Sequence, residues 1–144
     1  MRPKCFAAFL FLAELAVSPF AAAQAPADVL RSSGLIGLWA PDCSKGPAYE
    51  NVHASYEVRG GRSYHVNEFG RREEYEVTSA SVRSRQEIAM TYRHAGGQVL
   101  SIQLYVDFGG RIRTWTSTSA GNVLVQEGVV VGTGRPTDWL TKCR

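Results

Sequence analysis

Four tyrosines are the side chains in this sequence best suited to hold a ligand: Tyr56, Tyr64, Tyr75 and Tyr92. Each lies in a run of alternating polar and apolar residues, and we predict that all four point to one face of a β-sheet. A buried tyrosine hydroxyl needs a hydrogen-bond partner. Two alternatives follow. Either the rings fill the interior themselves, or they line a cup in which water or a small molecule satisfies the hydroxyls.

Two further candidates for ligand contact, Trp115 and Arg113, are predicted on the same inner face, together with the carboxylate of Glu73. A charge in such an interior is costly unless it is paired or lies near a mouth. Arg113 is therefore expected to take one of two roles. It orients an anionic head group of a ligand, or it lies with Arg111 at the open end and extends its charge into water.

The histidines do not form a catalytic or metal-binding group in the sequence. His53, His65 and His94 fall on separate predicted strands or turns, and none has the spacing of metal ligands. His65 is expected opposite Glu57 on the outer face, as a solvated cross-strand pair. No serine lies in a Gly-x-Ser-x-Gly context. The sequence therefore predicts a protein that is not an enzyme and that uses no metal or cofactor.

The strands that must position these side chains are indicated by glycine turns, which recur about every ten residues from His53 onward. Residues 27–33 are expected to form a short helical turn that stops at Gly34. Residues 134–140 are expected to take one helical turn, and residues 79–85 suit either a loop or a strand extension. Eight antiparallel strands are predicted in an up-and-down meander, at 35–39, 53–59, 62–69, 72–79, 86–94, 98–108, 111–119 and 122–131.

The length of each turn is predicted from the requirement that one face of the sheet stays apolar. The predicted loops contain three residues at 60–62 and 95–97, and two residues at 69–70 and 109–110. The first of these loops puts Tyr64 on the apolar face. Only one short helix is available to cover that face, so the sheet is expected to curl and close on itself.

A short helical turn followed by Gly37-Leu38-Trp39 at the entry to an eight-stranded meander resembles the lipocalin/calycin group. In that group a Gly-x-Trp element lies at the start of the first strand, and the Trp closes the base of the barrel. The resemblance implies an all-β barrel that binds a small apolar or amphipathic ligand in its interior.

The chain is also similar in size, compartment and architecture to small periplasmic inhibitors of proteases or lysozyme. This second resemblance implies a protein-binding module or hydrolase inhibitor that acts through its rim loops. The candidate rim loops are residues 41–52 and 79–85. A hollow interior favours the carrier, and a filled interior with an exposed apolar rim favours the protein-binding module.

The N-terminus has the layout of a secretory signal. Arg2 and Lys4 precede an apolar run, and small residues follow it up to the predicted cleavage site after Ala23. Residues 1–23 are therefore predicted to be a signal peptide, and residues 24–144 a single β-barrel domain. The expected location is the periplasm or the extracellular space.

Cys43 and Cys143 are the cysteines that remain after cleavage, and an oxidising compartment favours a disulfide between them. Free thiols or an intermolecular bridge are the alternatives. An intramolecular bond would close a loop of about 100 residues, which chain entropy alone makes worth up to about 4–5 kcal/mol.

The charge balance limits the partners that the chain is expected to bind. The full sequence has a net charge of +3, and without Arg2, Lys4 and Glu14 the 14 basic and 12 acidic residues leave +2. This near-neutral balance lacks the basic footprint of a nucleic-acid-binding protein. We expect a monomer whose partner is a small molecule or a periplasmic protein, with neither nucleic acid nor membrane involved once the signal is removed.

Overall fold

The computed structural model describes residues 24–144, so the predicted signal peptide lies outside the described residues. Ten strands form one antiparallel sheet, preceded by a short helix. No helix in residues 24–144 has the length and apolar character that a membrane crossing requires. In chain order the elements are α1 (Pro26–Ser32), β1 (Gly37–Ala40), β2 (His53–Arg59), β3 (Arg62–Glu68), β4 (Arg72–Ser84), β5 (Glu87–His94), β6 (Val99–Val106), β7 (Ile112–Ser119), β8 (Asn122–Gln126), β9 (Val129–Val130) and β10 (Thr141–Lys142).

Strands β1 to β9 lie side by side in chain order, and β10 lies beside β1. The predicted all-β antiparallel meander is confirmed, whereas the predicted count of eight strands is wrong. The segment predicted as one strand at 122–131 turns back at Glu127 and Gly128, both with positive φ, and so gives β8 and β9. β4 extends to Ser84, so residues 79–85, predicted as a candidate rim loop, belong mostly to a strand.

The C-terminal tail is extended, so the helical turn predicted at 134–140 is wrong. Its backbone bonds across to other strands instead of to itself. Pro136 forms a bridge with Val129, and Leu140 forms one with Ile112. Two hydrogen bonds of 2.7 and 2.9 Å join the backbones of Leu140 and Ile112. β10 then pairs with β1, so the tail passes from β9 across the start of β7 to β1.

The turn between β2 and β3 contains two residues, 60 and 61, rather than the predicted three. Both are glycines, with φ of 56° and 79°, which suits a two-residue hairpin turn. The one-residue shift exchanges the two faces of β3. His65 pairs with Tyr56 on the inner face, and Tyr64 lies opposite Glu57 on the outer face. The predictions of an outward His65 and an inward Tyr64 are both wrong.

The next turn, residues 69–71, contains three residues rather than the predicted two, because Glu68 pairs with Arg72. This second shift reverses the first. Tyr75 therefore faces the interior as predicted, where it pairs with His65. Because the two errors in turn length cancel, the residues of β4 and β5 that face the interior are those predicted.

The loop at 95–97 has its predicted length. Across it Met90 pairs with Ile102, and Tyr92 pairs with Leu100. All four of these side chains are buried or half-buried. The prediction succeeds here because apolar residues alternate without interruption on both β5 and β6, so only one register keeps the inner face apolar.

The loop between β6 and β7 contains three residues, 108–110, rather than the predicted two. Asp107 sets this length, since its backbone N–H donates to the carbonyl of Arg111 at 2.9 Å. Its Oδ1 also accepts hydrogen bonds from the N–H groups of Gly109 and Arg111, at 2.9 and 2.8 Å. A bulge follows in β7, where Trp115 is an additional residue with no partner in the β6 register.

The core lies on the inner face of the sheet, where α1 contributes Val29 and Leu30, both fully buried. The indole of Trp39 is buried and donates a hydrogen bond to the carbonyl of Leu35 at 2.8 Å. Gly37 opens β1 with φ of 127°, and a Cβ there would collide with the carbonyl of Arg144. A glycine at the start of β1 therefore lets the tail pack closely against it.

The predicted pairing of Cys43 with Cys143 is confirmed. The two residues form a disulfide with their Cα atoms 5.4 Å apart, across a sequence separation of 100. The bond joins the loop after β1 to the residue that follows β10. Close by, the N–H of Cys143 donates to the carbonyl of Leu38 at 2.7 Å.

Candidate ligand-binding cavity

The inner face of the sheet lines a cavity of about 370 Å³ that is partly open to solvent. Every strand from β2 to β9 and the C-terminal tail contribute to its lining. Most of this wall is apolar, and its aliphatic side chains include Ala54, Leu100, Ile102, Leu104, Ile112 and Leu140. A hollow of this size is at the small end of the range that holds small-molecule ligands. The inward-facing tyrosines thus leave part of the interior open, although their hydroxyls bond to protein atoms.

An aromatic cluster forms the polar part of the cavity wall. The hydroxyl oxygens of Tyr56 and Tyr92 lie 3.0 Å apart in a hydrogen bond. The ring of His65 lies between these tyrosines, with centroid distances of 4.8 Å to Tyr56 and 4.7 Å to Tyr92. The ring of Tyr75 completes the cluster, 6.2 Å from both His65 and Tyr92. Strands β2, β3, β4 and β5 each supply one ring, because the observed register brings these four positions to one face.

The rings of this cluster are uncharged at neutral pH. Desolvation raises the pKa of Tyr56 and of Tyr92 above the ordinary tyrosine value. Burial also lowers the pKa of His65 to about 4, and hydrogen bonding to the Asn67 side chain offsets this only in part. This part of the cavity wall therefore presents neutral polar groups.

His65 and Asn67, which both line the cavity, are the candidate site residues that the sequence interpretation missed. The three-residue turn predicted at 60–62 puts His65 on the outer face, and no face is predicted for Asn67. A signal was available in the sequence. Two consecutive glycines are typical of a two-residue hairpin turn, and that turn length alone brings His65 inside.

Three of the four predicted tyrosines, Tyr56, Tyr75 and Tyr92, line the cavity. The fourth, Tyr64, lies on the outer face, where the guanidinium of Arg59 stacks over its ring at 4.1 Å. The predicted inward orientation of Trp115 is also wrong. Its ring packs against Tyr105 on the outer face, with centroids 5.5 Å apart. The three-residue loop before β7 and the bulge within it account for the difference.

Arg113 borders the cavity, but its guanidinium binds the tail and the turn after β8. It donates hydrogen bonds to the carbonyl of Gly128 and, at 3.2 Å, to Oγ1 of Thr137. The same guanidinium lies 5.6 Å from the ring of Trp115 and 5.1 Å from that of Trp139. Arg113 therefore holds structural elements together, a role that neither sequence-based alternative included.

Arg111 has a similar structural role on the outer face, where the sequence suggested a charge extended into water. It pairs with Asp107 at 2.7 Å and stacks over the ring of Trp139 at 5.0 Å. Glu73 faces inward as predicted, opposite Asn67. Its carboxylate pairs with Arg71 at 2.6 Å and accepts a hydrogen bond from the Tyr75 hydroxyl at 3.2 Å.

Two residues of the cavity lining, Leu124 and Asp138, are exposed to solvent. The cavity therefore opens between β8 and the tail.

Within residues 24–144, no group of three or more His, Cys, Asp or Glu side chains is placed to hold a metal ion. No family model matches this chain, and searches of curated proteins and of solved structures return no match.

The loop at residues 41–52 is a second feature with functional potential. Its buried Asn51 donates hydrogen bonds to the carbonyls of Asp42, Lys45 and Gly46 at 3.1–3.2 Å. Hydrogen bonds from Ser44 and Lys45 lower the pKa of the Asp42 carboxyl to about 2. The loop is thus held in one conformation, while Tyr49 near its end is 81% exposed.

Proposed function

We propose that this protein is a secreted or periplasmic carrier that binds a small apolar or amphipathic molecule in its interior. The observation that supports this function is the cavity of about 370 Å³ with a mainly apolar wall and a cluster of neutral polar rings. Ligand sites commonly combine an apolar wall with a few fixed polar groups. The ligand-contact residues we propose are Tyr56, Tyr75 and Tyr92, with His65 added to them.

We further propose that the sheet curls into a lipocalin-like barrel around this cavity. The path of the tail supports closure, since it bonds to Ile112 of β7 and then continues along β1. The position of Gly37 and Trp39 in the first strand, directly after a short helix, supports the lipocalin/calycin relationship. The disulfide supports export, because such bonds persist in oxidising compartments.

The carrier function can be tested with a cavity-filling variant and a matched control from the neighbouring position. Leu100 lines the cavity, whereas Ser101 is exposed on the opposite face of β6. We expect the wild-type protein to bind naphthalene, and Leu100→Trp to abolish this binding in a calorimetric titration. Ser101→Trp should bind like the wild type. A wild-type protein that binds no apolar probe, or a Leu100→Trp variant that binds it normally, would contradict the proposal.

A second candidate function is that of a protein-binding module or hydrolase inhibitor that acts through the loop at 41–52. The exposure of Tyr49 on a loop fixed by Asn51 and by the disulfide supports it, because a rigid loop loses little entropy on binding. The test is inhibition of a panel of secreted proteases and of lysozyme. Tyr49→Ala should then weaken inhibition, and Phe108→Ala, at a 96% exposed aromatic on another loop, should not.

A further inference from the structure

The tail is the loosely bonded side of the cavity mouth, which lies between it and β8. Thr137, Asp138 and Leu140 of the tail line the cavity. In the part of the chain that the structure describes, neither Asp138 nor Trp139 makes a backbone–backbone hydrogen bond. β8, on the opposite side, is paired with both β7 and β9. Chain segments with few backbone bonds open locally at the lowest free-energy cost, so we expect the tail, rather than β8, to move.

Both ends of this part of the tail are fixed. Before the mouth, the N–H of Val130 donates to the carbonyl of Arg135 at 2.8 Å. Beyond it, two hydrogen bonds join the backbones of Leu140 and Ile112, and the disulfide follows. Residues 137–139 therefore form a short span between two anchors. Such a span can swing outward while the sheet stays folded.

Arg113 closes this span against the turn after β8. Its guanidinium donates to the carbonyl of Gly128 in that turn, and its Nε donates to Oγ1 of Thr137 at 3.2 Å. The guanidinium carbon also lies 5.1 Å from the ring centroid of Trp139. One side chain of β7 thus connects the two elements between which the cavity opens.

Gly128 and Thr137 are suited to this junction. A Cβ at Gly128 would collide with the guanidinium, so a glycine lets Arg113 reach the carbonyl. The same carbonyl accepts the backbone N–H of Thr137 at 2.8 Å, and the hydroxyl of Thr137 donates to the carbonyl of Thr114 at 2.8 Å. The bond from Arg113 is charge-assisted, and such bonds are about twice as strong as neutral ones. Arg113 therefore supplies a large part of the bonding that holds residues 137–139 closed.

We propose that Arg113 is a latch on the cavity mouth, and that ligand enters and leaves when residues 137–139 swing outward after its bonds to Gly128 and Thr137 break. This inference rests on the proposed carrier function. The latch bonds join protein atoms to each other, so they raise the barrier to exchange without favouring the empty or the loaded cavity. Binding that requires such a rearrangement is slow, and loosening the latch should speed entry and release by the same factor.

Arg113→Met keeps an unbranched side chain but removes every donor. We expect naphthalene to enter and leave this variant at least about tenfold faster than the wild type, with a dissociation constant that changes by less than about twofold. Calorimetry gives the dissociation constant, and relaxation-dispersion NMR of the ligand gives the release rate. Arg135→Met is the matched control, because it removes an exposed cation from the tail and leaves the latch bonds intact. It should exchange naphthalene at the wild-type rate.

The outcomes separate the latch from the carrier function. If naphthalene does not bind to the wild type, the carrier function is overturned, and the latch with it. If it binds but Arg113→Met exchanges it at the wild-type rate, the latch is overturned and the carrier function stands. The latch is also overturned if the dissociation constant rises as much as the release rate, because Arg113 is then part of the binding wall. Equally fast exchange in Arg135→Met would overturn it too.

Thr137→Val tests the latch from the side of the tail with little change in shape. It removes the acceptor of the bond from Arg113 Nε, so release should accelerate about three- to tenfold. Thr141→Val, at an exposed threonine of β10, is its control and should not change the rate. In the wild type, nitrogen-15 relaxation dispersion should show residues 137–139 opening at least as fast as naphthalene is released. A backbone that opens more slowly than the ligand leaves would overturn the latch even if neither variant folds.

Discussion

The hydroxyl oxygens of Tyr56 and Tyr92 lie 3.0 Å apart in the core, so each hydroxyl is the main partner of the other. Removing one of them leaves the other buried without that partner. We expect Tyr56→Phe and Tyr92→Phe each to lower the free energy of unfolding by about 1–2 kcal/mol, and the double variant to lose clearly less than the sum. Urea unfolding of all four proteins completes this double-mutant cycle.

Tyr64→Phe is the matched control for that cycle, because Tyr64 lies on the outer face under Arg59. Its loss should be below about 0.5 kcal/mol, as is usual for surface substitutions. Strict additivity of the Tyr56 and Tyr92 variants would show that the two hydroxyls are not coupled in solution.

Stability should fall as the pH is lowered from about 6.5 to about 4, because the folded protein resists protonation of His65. Burial lowers the pKa of His65 from 6.5 to about 4 in the folded state. The unfolded chain therefore takes up the proton first, and folding loses up to about 3 kcal/mol across this window. Above pH 6.5 the ring is neutral in both states, and its contribution no longer changes.

The measurement is urea unfolding at a series of pH values. His65→Phe should flatten the slope in this window, whereas His94→Asn, at the β5–β6 turn, should retain it. The ionisable groups that face His65 are Tyr56, Tyr75 and Tyr92, which stay protonated throughout. Glu73 reaches the cluster through Tyr75. A slope that survives in His65→Phe would assign the effect to the carboxylates instead.

Gly128→Ala should destabilise the protein more than Gly121→Ala, although both glycines have positive φ, 75° and 80°. A Cβ at Gly128 would collide with the guanidinium of Arg113, whereas a Cβ at Gly121 would meet nothing within 4 Å. Backbone strain of about 1 kcal/mol is common to both substitutions. We expect an additional loss of at least about 1 kcal/mol at Gly128, measured by urea unfolding. Equal losses would mean that Arg113 moves aside without cost.

The disulfide should account for a large part of the stability. Replacing both Cys43 and Cys143 with Ala should lower the free energy of unfolding by up to about 4–5 kcal/mol, since the bond closes a loop across a separation of 100 residues. Urea unfolding with and without reductant checks this. The reductant should destabilise the wild type and leave the Ala variant unchanged. If the reductant did not change the free energy of unfolding of the wild type, the expectation would be contradicted.

The strand pattern was largely predictable from the sequence because glycine turns and alternating residues mark it directly. The helix at residues 26–32 was predictable as well, from a short run that ends before Gly34. The face of the sheet to which each side chain points was harder to predict than the positions of the strands. At β3 the more apolar pair, Tyr64 and Val66, lies on the face away from the cavity, so the apolar criterion selected the wrong face. A neutral histidine buried between tyrosines looks polar in a sequence.

The loop at 108–110 and the bulge at Trp115 were missed for a different reason. The geometry of the loop depends on the side chain of Asp107, which accepts hydrogen bonds from the backbone N–H groups of Gly109 and Arg111. An aspartate two residues before a pair of glycines, as in Asp107-Phe108-Gly109-Gly110, is a local signal for such a turn. The bulge is one extra residue in β7, for which the alternation of side chains gave no signal. The extended tail had no local signal, because its bonds to Ile112 and β1 come from residues far away in the sequence.

The pairing of β10 with β1 has a consequence for biogenesis. The cysteine that follows β1 is separated from its partner beside β10 by 100 residues, so an early strand must wait for one of the last to be synthesised. Such long-range pairing gives a high contact order, which slows folding. Until β10 arrives, the free edge of β1 is a template for pairing with other chains. The native pairing of β1 with β10, and the disulfide beside it, can therefore form only after almost the whole chain has been synthesised.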